Sequence, residues 1–279
     1  MSSSATPVKI SIKPRHPQFD LRAALASDWH SSDPFKTAFF NALSLTFPVG
    51  EKFFIDSVRA FEHRIDDPKL NRDVRGFIGQ EAVHRREHRT YNTLLAESRG
   101  YDDAPGFEAT LQERINSRVQ NSPFSALLET VCFEHLTAIF AHGLLHDPRW
   151  LDGADPTLRA MWQWHAIEEI EHKAVTFDVY RAVGGDMERL RYALPLVTKQ
   201  LFADVFNGVR LMLRADGLHH NPWVWGRGLV WLFGLNGVVT HLYGQWRDFR
   251  RQGFHPWQHD NSARIEEWRN QQETALTIA

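Results

Sequence analysis

The segment WHAIEEIEHK, residues 164–173, sets three carboxylates and two histidines within ten residues of an otherwise apolar helical pattern. Glu169 and His172 stand at i, i+3, so they share one side of a helix. Ile167, Ile170, Ala174 and Val175 mark that region as at least partly buried. A buried carboxylate and imidazole need partners, because an unpaired buried charge costs several kcal/mol or is neutralised. The partner is each other, another polar side chain, or a metal ion. A second segment, FIGQEAVHRREH, repeats the arrangement with Glu81 and His84, and His88 lies one turn further on. On the other helix His165 lies one turn before Glu169.

Spacing alone is weak evidence, since a chain with 15 histidines produces Glu-x-x-His pairs by chance. Placement carries the weight. Both pairs sit in the middle of long helical patterns, and each follows, one helix later, a glutamate in apolar surroundings. These are Glu51 in PVGEKFFI and Glu134 in VCFEHLTAIF. One Glu from each of two helices and a Glu-x-x-His from each of two more is the ligand set of the ferritin-like di-iron carboxylate bundles. Four carboxylates neutralise two close cations, and each imidazole adds a nitrogen. Mixed oxygen and nitrogen ligands suit iron or manganese better than thiolate-loving ions, with zinc as a further choice.

The other polar residues near these motifs read differently. His88 and His165 are divided between ligation, a hydrogen bond to a ligand and packing. His135 follows Glu134 but points about 100° round the helix, given 3.6 residues per turn, which favours packing or a supporting role. Glu129 is the alternative carboxylate on the third helix. Glu168 and Glu171 are expected in solvent or paired with Lys173 and nearby arginines. His142 and His146 lie near a helix C-terminus, which favours a cation. Trp162, Trp164, Phe53, Phe54 and Phe77 read as core, Cys132 as a small buried hydrophobe, and the Arg-Arg of HRREH as a solvated face.

The elements that must carry these residues are announced by Asp33-Pro34, Asp67-Pro68, Ser122-Pro123 and Asp155-Pro156. In each, a side-chain oxygen caps the helix and the proline lacks the N–H that has no partner in the first turn. Helices are predicted from Pro34 to about Arg64 with a kink at Pro48, from Pro68 to about Ser98, from Pro123 to about His146, and from Pro156 to about Val183. No strand alternation of comparable strength is present. The reading is all-α: a ferritin-like four-helix bundle over 33–184 within a single domain 21–279, preceded by a loose tail, 1–20. Accessory helices follow from 187, the first over 187–216. The apolar stretch 223–249 has an uncharged run just short of the roughly 20 residues of a bilayer span. It is expected as a buried helix capping the bundle, with membrane-surface contact as the alternative.

A net charge of −2 and a pI of about 6.7 argue against nucleic acid as a partner. One cysteine excludes an intrachain disulfide and fits a reducing, cytoplasmic setting. The N-terminus shows no apolar run of the kind a secretory signal carries.

The strings FPVGEKFFIDSVR, FIGQEAVHRREHRTYN, FEHLTAIFA and WQWHAIEEIEHKAVTFDVY, with FHPW at 254–257, resemble a bacterial family described as predicted metal-dependent hydrolases. The resemblance spans roughly residues 30–260. It implies Glu51, Glu81, His84, Glu134, Glu169 and His172 as metal ligands, with His88, His165 and His135 in excess of the pattern. Three functions compete. Two Fe(II) ions reduce O2 and an apolar small molecule is oxidised, with an electron donor and an oligomeric state both open. A metal-activated water attacks a substrate with Glu168 as general base. The site stores iron or is a structural polar network.

Overall fold

The computed structural model describes residues 4–278, without the side chains of 118–121 and 272–278. The described residues form an all-α fold with no strand, only an isolated bridge between His30 and Ala154. The helices are α1 (Arg22–Leu25), α2 (Pro34–Arg59), α3 (Pro68–Arg99), α4 (Ala104–Asn121), α5 (Pro123–His146), α6 (Pro156–His172), α7 (Val175–Ala182), α8 (Met187–Ala215), α9 (Pro222–Phe233), α10 (Tyr243–Asp248) and α11 (Ser262–Ile278). The caps act as the dipeptides predict. Asp33, Asp67, Ser122 and Asp155 each accept backbone N–H bonds in the first turn of α2, α3, α5 and α6.

α2 packs on α3, α3 meets α6, α6 lies on α5, and α5 returns to α2, so these four helices close a ring. α8 covers the outside of α2 and α5, and α4 fills the angle between α2, α5 and α8. α5 is long and apolar enough to cross a bilayer by length and composition, but it carries Glu134 and most of its apolar stretch is buried in this ring.

Pro48 lies inside α2 without ending it. Proline offers no N–H to the carbonyl four residues back. That carbonyl, of Ser44, accepts instead from Asn92 Nδ2 of α3 at 3.0 Å.

Several expectations change. The helix predicted to run from Pro156 to Val183 stops at His172 and restarts at Val175. Lys173 and Ala174 keep right-handed dihedrals there, and the Lys173 ammonium is tied to the His259 carbonyl and to Asn261. The last residues expected in the first helix form a separate 3-10 turn, Glu62–Arg64. The stretch 223–249 is no single buried helix. It breaks after Phe233, because Gly234 and Gly237 fold the chain back so that Val238 and Val239 donate to Trp231 and Leu232. Trp223, Val230, Leu235 and Tyr243 stay exposed, Leu235 at 98%.

Residues 4–20, the described part of the segment expected to be a loose tail, form a strap. It has no regular structure, yet Ile10 and Ile12 are buried, Ser4 bonds Asp67 and Asp73, and Arg15 reaches the interior. A Cβ on Gly76 of α3 would fall 2.4 Å from the Ile12 carbonyl oxygen, and one on Gly79 3.1 Å from Pro14. Two glycines one turn apart thus let the strap lie against α3.

Candidate metal centre

The closed ring of helices brings six of the predicted residues together from four elements: Glu51 on α2, Glu81 and His84 on α3, Glu134 on α5, Glu169 and His172 on α6. All are buried, the most exposed being Glu169 at 5%. His172 Nε2 lies 3.2 Å from Glu81, 3.6 Å from Glu134 and 3.7 Å from Glu169. His84 Nδ1 lies 3.5 Å from Glu169 Oε1. Ligand atoms of Glu51, Glu81 and His84 lie within 4.8 Å of one another, as do those of Glu81, Glu169 and His172. Glu81 belongs to both triplets. His165 adds a third grouping with His84 and Glu169, and a fourth with Glu51 and His88.

Both oxygens of Glu51, Glu81 and Glu134, together with Glu169 Oε2, His84 Nδ1 and His172 Nε2, have no hydrogen-bond partner. Leaving that many polar atoms buried and unpaired is costly. Burial lifts the Glu51, Glu81 and Glu134 carboxyls above the ordinary carboxylate range, and the charge of Glu81 adds to the effect on Glu51. Burial also opposes the charge on His84, but the bond it donates to Glu168 and the nearby Glu169 carboxylate outweigh it and raise His84 to about 10. His172 is likewise raised, its burial outweighed by Glu169 and Glu81. Burial works against ionised Glu169 too, but neighbouring His172 holds it well below its ordinary value. Orphaned acceptors of this chemistry are what a cation would satisfy, so the donor set fits bound metal.

The outer contacts fix which nitrogen each histidine presents. Gln80 Nε2 donates to Glu171 Oε2 at 2.9 Å, so its Oε1 accepts from His172 Nδ1 at 3.0 Å. His172 Nε2 is therefore the nitrogen that faces the glutamates and the one a cation would take in place of a proton. His84 Nε2 donates to Glu168 Oε2 at 3.0 Å, which leaves Nδ1 as its ligating atom. Such partners orient and strengthen metal ligands. Arg15 of the strap holds both carboxylates, donating to Glu168 at 2.9 Å and to Glu171 at 2.9 and 2.7 Å, and Arg269 of α11 adds a bond to Glu171.

Of the settings expected for Glu168 and Glu171, pairing with arginines is the one found: both side chains are fully buried, Glu168 on Arg15 and Glu171 on Arg15 and Arg269. One expectation for a neighbouring residue changes here. Glu168, expected as a general base, has one oxygen on Arg15 and the other on His84, so it orients a ligand. His135 lies outside the cluster, packed 4.4 Å from the Phe249 ring and beside Phe254. Residue patterns missed Arg15, Gln80 and Arg269. Gln80 is adjacent to Glu81 in the motif, but nothing in the sequence ties residues 15 or 269 to a helix roughly 100 to 150 positions away.

Two apolar cavities reach the cluster. One, of about 60 Å³, touches Glu51 and runs outward between α2, α4, α5 and α8 past Phe54, Ile115 and Phe133 to the Arg114–Asp204 ion pair. The other, of about 50 Å³, touches His165 and Glu169 and continues past Leu43, Phe140 and Trp162 toward Trp150. Phe47, Thr137 and Leu201 line both.

An all-α chain with buried groups of glutamate and histidine able to hold metal is thereby defined as a metal-dependent protein. The chain belongs to the family of predicted metal-dependent hydrolases, whose model matches residues 13–260. No curated protein and no solved structure matches it.

Proposed function

We propose that the protein is a dinuclear metal enzyme, with two iron ions held by Glu51, Glu81, His84, Glu134, Glu169 and His172, that uses O2 to oxidise an apolar small molecule. The observation that carries this reading is the pairing of a fully buried, carboxylate-rich cluster with cavities lined mostly by aromatic and aliphatic side chains. Bound iron supplies the reduction of O2, with an electron donor outside the chain completing turnover. The protein's own residues do the rest. Glu168 and Gln80 hold the two imidazoles in ligating tautomers. Phe47 and Trp162 keep water from the cluster and offer an apolar substrate a surface beside Glu51 and Glu169.

Hydrolysis through a metal-activated water is the second reading, and the family description favours it. Against it stand the apolar approach and the commitment of Glu168 to Arg15 and His84, which leaves that carboxylate no role as a base.

The deciding measurement is metal per chain after anaerobic Fe(II) loading and desalting, then the absorption spectrum on admitting air. Two irons per chain and a new near-ultraviolet oxo-to-iron band, both lost in Glu169→Ala, are expected. Activity toward esters or amides without O2 and with zinc in place of iron would instead establish the hydrolase.

A further inference from the structure

Beyond the six ligands of the di-iron pattern stands a line of buried polar groups that runs from the proline-interrupted turn of α2 to the cluster. Its first member is fixed by a backbone atom. The Ser44 carbonyl, freed by Pro48, can only accept, so the Asn92 group bonded to it at 3.0 Å is the amide nitrogen. Asn92 Oδ1 therefore faces Ser44 Oγ at 2.7 Å, and the serine O–H must donate to it. With its only hydrogen used, Ser44 Oγ accepts from His88 Nδ1 at 2.8 Å. His88 Nε2 is then a bare acceptor, and the nitrogen 2.7 Å from it, His165 Nδ1, is the donor. His165 is left with a lone pair on Nε2.

That lone pair points at another acceptor. His165 Nε2 lies 2.9 Å from Glu169 Oε1, which is itself 3.5 Å from His84 Nδ1, the atom left free by Glu168. Running the line in reverse would place a hydrogen between His165 and Glu169. It would also set Ser44 Oγ and Asn92 Oδ1 face to face at 2.7 Å with no hydrogen between them. Two acceptors of α6, His165 Nε2 and Glu169 Oε1, thus face each other, and His84 Nδ1 of α3 joins them as a third once its proton is displaced, with the His84 and His165 rings stacked 4.2 Å apart.

We propose that His165 is a third imidazole ligand of the centre, binding a divalent first-row ion through Nε2 beside Glu169 and His84, and that Asn92, Ser44 and His88 are positioning residues that fix its tautomer. This rests on the metal reading of the cluster but not on its reaction. It gives the proline in α2 a purpose: the missing N–H frees the carbonyl that sets the direction of every later hydrogen bond. It also makes the two ion positions unequal, since one receives His84 and His165 and the other His172 alone.

The test loads the full chain with zinc, which is redox-inert, and counts imidazoles by X-ray absorption. Affinity is read by competition with a chromophoric chelator. Three imidazoles in the parent protein and two in His165→Ala are expected, with affinity lowered at least 10-fold in that variant. Ser44→Ala should weaken binding roughly 10- to 100-fold, as loss of a ligand's outer partner does, and Ser44→Thr, which restores the hydroxyl, should recover it. Two imidazoles in the parent protein would overturn the third ligand while leaving the six-ligand centre standing. Unchanged affinity in Ser44→Ala would overturn the positioning line. No retained zinc, iron or manganese in the parent protein would overturn both this inference and the enzyme reading.

Discussion

At the residue scale the centre is a contest between protons and cations for the same lone pairs. His84, raised to about 10, holds a proton at pH 7 that ligation must displace, and His172, Glu51, Glu81 and Glu134 are all shifted in the same direction. Adding zinc or Fe(II) to the stripped protein at pH 7 should therefore release protons, measurable as base uptake in a pH-stat. Metal affinity should climb as the pH rises, with the His84 contribution complete only above about pH 10. The sign for the stripped protein is opposite. A raised histidine pKa contributes stability that is whole below 6.5 and lost as the pH passes about 10. Metal uptake without proton release would remove these groups from the ligand set. Glu81–His84 and Glu169–His172 were legible in the sequence because groups on one helix face repeat at i, i+3 or i+4, and Glu51 and Glu134 because each is a carboxylate in an apolar stretch. Their supporting residues were not, because Arg15 reaches Glu168 across 153 positions and leaves no periodic trace.

At the scale of elements the strap and the helix breaks matter most. The strap delivers Arg15 only because Gly76 and Gly79 let residues 12 and 14 touch α3. Gly76→Ala puts a methyl 2.4 Å from the Ile12 carbonyl, so backbone must move. The substitution should lift the strap, loosen Glu168 and Glu171, and lower metal affinity roughly 10-fold or more, while the helical circular-dichroism signal stays intact. Faster proteolytic cleavage near residue 15 is the companion readout, and unchanged affinity with a cleaved strap would show that Arg15 does not tune the ligands. The Asp-Pro and Ser-Pro starts of α2, α3, α5 and α6 were legible because capping is local chemistry. The break at Lys173–Ala174 was hidden, since no glycine or proline marks it and the tie to His259 and Asn261 is long-range. α4 also escaped, because YDDAPGFEATLQERINSRVQN opens without a strong cap signal and, among the described side chains of the helix, only Ala104 and Leu111 are buried.

At the scale of the whole molecule the centre is a cross-link. The proposed ligands come from α2, α3 and α6, with Glu134 of α5 beside His172, so an ion held there joins segments that separate only when the bundle opens. An ion that binds the folded chain alone stabilises it by about 4.1 kcal/mol at 1,000 times its Kd. In a chain of this size that corresponds to a rise in Tm on the order of 10 °C. Differential scanning calorimetry of stripped and zinc-loaded protein should show this rise. It should vanish in Glu169→Ala, which removes a member of two of the ligand groups, and shrink in Gly76→Ala, where the ligands remain but their support is loosened. Zinc could also be held at the neighbouring pairs His142–His146 or His219–His220, whose rings stand 4.1 and 3.8 Å apart. Each pair lies within one element or one turn, so an ion there bridges no distant segments and should change Tm little. A rise of equal size in Glu169→Ala would place the stabilising ion outside the four-helix ring.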